Sequence, residues 1–216
     1  MFDLDNTLLK GDSDHAWGEF LVEKALVDAN VYKEANDRFF SQYKDGTLDI
    51  HEFLSFTLQA LSQFSPTQLR ELHEEFMNVK IMNMILPKAV KLIDLHRKRG
   101  DKLMIITATN RFVTAPISTY FNIDTLLASE PEVVDGHYTG RLLGVPCYRA
   151  GKIDNLNTWL SANPDFNLDD SYFYSDSHND IPLLSLVTHP IAVDADDKLV
   201  EHAEKNEWPI ISLRDY

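Results

Sequence analysis

The chain has 216 residues, 44% of them hydrophobic, and a formal net charge of −14 at pH 7. That size and apolar content suit one domain, or a domain with an insertion, around a sizeable core, while the acidic balance excludes the basic footprint of a nucleic-acid binder. No apolar run reaches the ~20 residues of a membrane span, no charged signal-peptide start is present, and the single Cys147 allows no internal disulfide, so a cytoplasmic location is expected.

The chain opens Met1-Phe-Asp-Leu-Asp-Asn-Thr-Leu-Leu-Lys10, with two carboxylates, Asp3 and Asp5, behind an apolar start. In an extended backbone these two point to one side and Leu4 to the other. Carboxylates this close repel, and one is pushed toward its protonated form. A divalent cation between them removes the conflict, and Mg²⁺ suits a site of carboxylates, carbonyls and water. Taken alone, Asp-x-Asp also fits a solvated turn.

Residues 13–82 read as helical. Ser13 or Asp14 is expected to cap a helix through Ala16, Trp17, Phe20, Leu21 and Leu26, whose apolar spacing is helical. Further helices are expected near Tyr32–Tyr43, Asp49–Leu61 and Pro66–Met77, the last with proline at its first position. Pro87 opens a helix that stops at Lys98-Arg99-Gly100, a basic last turn and a glycine. Lys102–Thr107 is then an apolar run of the kind buried on both faces of a parallel sheet. Helix Asn110–Tyr120, strand Thr125–Ser129 and a hairpin within Val133–Arg141 follow, the hairpin marked by Asp135-Gly136. After it come helix Ile153–Leu160, strand Ser171–Ser175, a short helix Pro182–Leu186, strand Pro190–Val193, helix Asp197–Lys205 and a possible strand at Pro209–Ile211.

Alternating strands and helices predict an α/β fold, a Rossmann-like three-layer arrangement around a parallel sheet. The N-terminal strand belongs to that sheet, so the helical segment is an insertion. The expected division is a discontinuous α/β core, residues 1–12 and 83–216, and an all-helical cap, residues 13–82. Such an insertion sits over the carboxyl ends of the strands, where open α/β sheets bind ligands, and can exclude water and select substrate. More polar groups fall where strands end or helices begin: Thr107, Lys152 behind Gly151, and Asp176 and Asp180 in Ser175-Asp-Ser-His-Asn-Asp180. Each has an ordinary reading as a cap, loop or solvated side chain, but together with Asp3 and Asp5 they converge on one edge of one sheet.

Phe2-Asp-Leu-Asp-Asn-Thr-Leu8, Ile105-Ile-Thr-Ala-Thr109, Gly151-Lys152 and Ser175-Asp-Ser-His-Asn-Asp180 resemble, in order, the four motifs of the haloacid dehalogenase superfamily of phosphohydrolases. The likeness spans nearly the whole chain, and the insertion resembles the cap of the phosphoserine phosphatase-like branch. The resemblance implies a phosphomonoester hydrolase acting on a small phosphorylated metabolite. Asp3 would be the nucleophile that forms an aspartyl phosphate, and Asp5 the general acid and base. Mg²⁺ would be held by Asp3, the backbone carbonyl of Asp5 and Asp176. Thr107, the backbone N–H of Ala108 and Lys152 would bind phosphoryl oxygens, Asn179 would add a polar contact near the phosphate, and Asp180 would orient Lys152 or a metal-bound water.

The likeness departs in the cap. Phosphoserine phosphatases carry an Arg for the substrate carboxylate where this chain has Thr57, while the acid that meets the substrate amine falls at Asp12. An acid without its Arg points to an amine-bearing substrate lacking a carboxylate, such as histidinol phosphate, unless Arg38 or Arg70 reaches the site. Among the cap aromatics Trp17, Phe20, Phe39, Phe40, Tyr43, Phe53 and Phe56, most are expected in the core and one or two at the pocket. His178 reads as a loop residue rather than a metal ligand. Only Met1 and Phe2 precede Asp3, less than the usual strand length, which predicts a natural start further upstream. Two other functions fit parts of the pattern: a phosphotransferase or mutase, and a receiver-like module that is phosphorylated without turnover. Receivers, however, lack a long helical insertion.

Overall fold

The computed structural model describes residues 1–214. Its first stretch makes no long strand. Phe2 is a single bridge residue, paired in parallel with Ile105 on one side and Tyr174 on the other. Around it lie β1 (Met104–Asn110), β2 (Thr125–Val134), β3 (His137–Leu143), β4 (Tyr172–Ser175), β5 (His189–Val193) and β6 (Ile210–Ile211). The lateral order is β3-β2-β1, then Phe2, then β4-β5-β6, parallel throughout except for the antiparallel β3. Four backbone hydrogen bonds stitch Phe2 and Asp3 into the centre: Phe2 N to Met104 O (2.9 Å), Ile106 N to Phe2 O (2.8 Å), Asp3 N to Tyr174 O (2.9 Å) and Tyr174 N to Met1 O (3.2 Å).

β1 shows the two-sided burial expected of its apolar run. Ile105 joins one buried cluster with Ile93, Val113 and Ile117. Met104 and Ile106, pointing the other way, join a second with Leu156, Phe173, Ala192 and Leu199. The first face is covered by α6 (Pro87–Arg99) and α7 (Arg111–Tyr120), the second by α8 (Ala150–Ala162), α9 (Ile181–Leu184) and α10 (Asp197–Lys205). Gly100 closes α6 at φ 82°, a left-handed cap that glycine takes without steric cost. The Asp135-Gly136 turn has φ 50° and 78°, both positive as the tight hairpin turn requires. The hairpin is longer than expected, because β2 runs from its parallel pairing with β1 straight into the antiparallel arm.

Between Phe2 and β1 the chain is helical: α1 (Ser13–Glu23), α2 (Ala29–Asp45), α3 (Ile50–Leu61), α4 (Pro66–Phe76), a π-helical turn (Met77–Ile81) and α5 (Met82–Met84). Two boundaries differ from the sequence reading. α1 is capped by Asp12, whose side chain accepts from His15 N (2.8 Å), so Ser13 and Asp14 lie inside the first turn. α4 does not stop at Met77, since no breaker stands between it and Pro87; the chain stays helical to Met84. At the other end of α4, Ser65 and Gln68 form a capping box.

The helices share the first core with the sheet. Trp17 is enclosed by the rings of Phe20, His73, Phe76 and Phe112, each such pair contributing about 0.5–1.5 kcal/mol beyond the area it buries. Because Phe112 sits in α7, this cluster locks α1 and α4 to the sheet layer. Among the described residues no helix is long and apolar enough to cross a membrane.

Candidate active site

The turn after Phe2 builds the site from local geometry. Asn6 takes φ 58° and its N–H bonds Gly11 O (2.8 Å), while the amides of Thr7, Leu8 and Leu9 all reach back to Leu4 O (2.9–3.3 Å). The chain thus folds over itself just past the sheet and leaves Asp3, Asp5 and Thr7 at the carboxyl edge of the strands.

Lys152 is 1% exposed. Its ammonium donates to Asp3 Oδ1 and Asp180 Oδ2, both at 2.7 Å, and Asp180 also accepts from Ser175 Oγ (2.7 Å). A charge buried so deeply persists only when paired. Burial lowers the tendency of Lys152 to hold its proton, but Asp180 and Asp3 outweigh that and raise it. Gly151 makes the arrangement possible, because a Cβ there would lie 1.9 Å from the carbonyl oxygen of Pro146. The residue just before α8, Arg149, has φ 50° and ψ −118°, a region that costs a non-glycine residue about 1–3 kcal/mol.

Asp5 is held from both sides. Its Oδ1 accepts from Ser13 N (2.6 Å) and its Oδ2 from Thr109 Oγ1 (2.8 Å), with Thr107 Oγ1 at 3.5 Å. Burial pushes the carboxyl of Asp3 up to about 7, helped by Asp180 and Asp5 and opposed by Lys152. Burial and the charge of Asp12 push Asp5 up to about 7 as well. Asp176 is raised well above the usual range by burial, then by Asp3 and Asp180.

The expected Mg²⁺ ligands can be tested by their donors. Thr7 Oγ1 lies 3.5 Å from Asp3 Oδ2 and 3.2 Å from Asp176 Oδ1, and accepts from Asp176 N (3.0 Å). One hydroxyl proton cannot serve two carboxylates. Among the described residues no N–H donates to the Asp5 carbonyl, and no three His, Cys, Asp or Glu side chains are gathered into a metal cluster, here or elsewhere. Two facing carboxylates and a backbone carbonyl, all oxygen, fit the preference of Mg²⁺.

Asp3, Asp5, Thr107 and Ala108 line one pocket, together with Thr109, Asp12, Asp14, His15, Asn36 and a wall of Phe39, Phe40, Tyr43 and Phe53. Four aromatics of the helical segment therefore face the pocket rather than one or two. Asn179 does not line it. Both amide hydrogens of Asn179 are engaged, on Tyr43 O and Ser177 Oγ (each 3.2 Å), and its oxygen accepts from Arg149 and Tyr148. Arg38 pairs with Glu52 (2.9 Å) and Arg70 turns to Thr67 (3.4 Å), so neither supplies a cation to the pocket. Thr57 is buried, and its hydroxyl has no hydrogen-bond partner. His178 binds Asp196 through Nδ1 (2.8 Å).

Sequence reasoning missed Asp14 as a pocket residue. It is 5% exposed, one oxygen accepts from Asn110 Nδ2 (3.0 Å), and burial with the charges of Asp12 and Asp5 raises it well above the usual range. Asp12 is raised by burial too. The pocket lining thus carries four carboxylates and, among the described residues, neither Lys nor Arg.

A mostly parallel sheet flanked by helices, with paired acids and a buried lysine at its carboxyl edge, is the arrangement of a haloacid dehalogenase-like hydrolase. Residues 1–185 match the haloacid dehalogenase-like hydrolase family, and the chain belongs to it. Over 99% of this chain and 98% of the relative it is 41% identical to a protein of Neisseria meningitidis serogroup C named histidinol-phosphatase, and over 99% and 70% it is 30% identical to phosphoserine phosphatase SerB1 of Mycobacterium tuberculosis; the chain is a phosphatase. Among solved structures, a protein of unknown function from Bordetella pertussis superposes with a TM-score of 0.91 at 41% identity, covering 99% of this chain and 97% of that one.

Proposed function

We propose that the chain is a Mg²⁺-dependent phosphomonoesterase that works through an aspartyl phosphate and accepts a small substrate carrying an amine and no carboxylate. The observation that carries this reading is the convergence of Asp3, Asp5 and Thr107 on one pocket, with Lys152 on Asp3 from behind. Asp3 attacks phosphorus, a P–O bond forms to its carboxylate, and the ester P–O bond breaks. Asp5, raised to about 7, keeps a protonated fraction at neutral pH and gives its proton to the leaving oxygen. In the second step Asp5 takes a proton from water, which attacks phosphorus and restores Asp3. Lys152, Thr107 and the Ala108 N–H stabilise the phosphoryl oxygens, while Asp180 and Ser175 keep Lys152 in place. Asp3, the Asp5 carbonyl and Asp176 would hold Mg²⁺, which when bound supplies the charge that screens the phosphoryl group from the nucleophile. In this reading residues 13–82 form a cap over a core of 1–12 and 83–216, and the enzyme works in the cytoplasm.

The pocket also supports the substrate assignment. Asp12 and Asp14 offer carboxylates to a cation, and the aromatic wall suits an apolar or imidazole body. With no Lys or Arg in the lining, a substrate carboxylate would meet repulsion. Phosphate release from histidinol phosphate should therefore exceed release from phosphoserine at least tenfold in kcat/KM, read by a phosphate assay with Mg²⁺ present. The reverse order discards the assignment.

A further inference from the structure

The last carbonyls of a helix have no partner inside it. At the end of α2 they are met by three residues from three separate places in the chain: Arg149 just before α8, Asn179 in the turn after β4, and Lys198 in the first turn of α10. Asn179 Nδ2 donates to Tyr43 O (3.2 Å), Lys198 Nζ to Asp45 O (3.2 Å), and Arg149 Nη2 to Gly46 O. Arg149 also bonds a second of the three, its Nε donating to Asn179 Oδ1 (2.9 Å). It stands three residues before Lys152, and Tyr43, in the last turn of α2, lines the pocket. The approach is close: at Gly46 (φ 74°) a Cβ would lie 2.7 Å from His178 Nε2 and 2.9 Å from Arg149 Nη2.

We infer that Arg149 is a positioning residue, a latch that fastens the α2–α3 turn over the site and ties its closure both to its own segment, which carries Lys152, and to the turn after β4 that carries Asn179. Guanidinium geometry suits this task, since one planar fork serves two acceptors at once. Nothing in the chemical steps requires Arg149 to touch substrate. Its action lies in how often the aromatic wall of the pocket stands closed over the paired acids.

The test uses the full-length protein, Arg149→Met, Gly46→Ala and the double variant. Amide hydrogen exchange across residues 42–49 should quicken at least tenfold in each single variant, with β1 and β4 unchanged. If the phosphatase reading holds, kcat/KM for histidinol phosphate should fall at least tenfold, mostly through KM, and the double variant should be no worse than the poorer single one, because both changes break one contact. Unchanged exchange at 42–49 in both single variants overturns the latch, and so do losses in kcat/KM that simply add. The kinetic arm rests on the proposed activity and the exchange arm does not. A wild type that releases no phosphate therefore sinks the activity alone, and the latch still stands or falls on exchange.

Discussion

At the scale of single residues, the site is a contest between burial and charge. Lys152 neutralises two carboxylates that could not be buried together without it. Lys152→Met should destabilise the fold by about 3–5 kcal/mol, the usual cost of stranding a buried partner, and abolish phosphate release; denaturant unfolding and a phosphate assay read the two effects. A stable Lys152→Met protein would mean that Asp3 and Asp180 share a proton instead. Asp14 belongs to a different task. Asp14→Asn keeps an acceptor for Asn110 and removes one charge, so it should raise KM for histidinol phosphate about tenfold while leaving p-nitrophenyl phosphate nearly unaffected. Equal losses on both substrates would place Asp14 in the scaffold rather than in recognition. These residues differ in how visible they were beforehand. Asp3 and Asp5 stand out only when read with Thr107, Lys152 and Asp176, since Asp-x-Asp alone also fits a solvated turn. Asp14 reads equally well as a helix cap, and only the fold decides that Asp12 takes the cap and frees Asp14 for the pocket. The role of Arg149 has no local signal, because its two side-chain hydrogen bonds reach residues 30 and 103 positions away in the chain, the second across a turn that glycine allows to approach.

At the scale of elements, the register of α8 and the joint between α4 and α7 carry the most testable consequences. The Cβ of a Gly151→Ala protein would collide with backbone, not with a movable side chain, so α8 must shift and draw Lys152 off Asp3. Activity should fall far more than the melting temperature does. His73 in α4 bonds the carbonyl of Val113 in α7 (3.0 Å) among the rings of Trp17, Phe76 and Phe112, and burial lowers its proton affinity below the ordinary 6.5. The unfolded chain then binds more protons than the folded one. The stability this gives is complete above pH 6.5 and is lost as pH falls below it. Melting temperatures measured from pH 7.5 down to 5 should drop more steeply for wild type than for His73→Phe; parallel curves would contradict the assignment. Elements with strong punctuation were legible. Pro66, Pro87 and Gly100 marked helix ends, and Asp135-Gly136 marked the hairpin. The π-helical turn was not, since Met77–Ile81 holds no residue that distinguishes an extra backbone residue from an ordinary turn. Nor was the reach of β2, whose second half is written like a hairpin arm and is one.

At the scale of the whole molecule, an acidic protein has to bind an anion. The chain carries −14 overall and four carboxylates on its pocket wall, so productive binding of a phosphate ester needs local positive charge from Lys152 and from a divalent cation. Removal of metal with EDTA should abolish phosphate release, and added Mg²⁺ should restore it; activity indifferent to chelation would leave Asp176 and the Asp5 carbonyl without a role. The fold as a whole was readable because strand and helix alternate and because one long helical insertion interrupts them, whereas the way the helices close over the sheet rests on contacts between distant segments. The account turns on Asp3 carrying the phosphoryl group, and one measurement addresses that directly. Asp5→Asn protein, mixed with p-nitrophenyl phosphate and Mg²⁺, should complete the first step, whose leaving group needs no acid, and stall at the second. Acid quenching and peptide mass mapping should then find a phosphoryl group on the N-terminal peptide at Asp3, and none when Asp3 is also changed to Asn. Turnover with that peptide unmodified, or a phosphoryl group lodged on another residue, would contradict it.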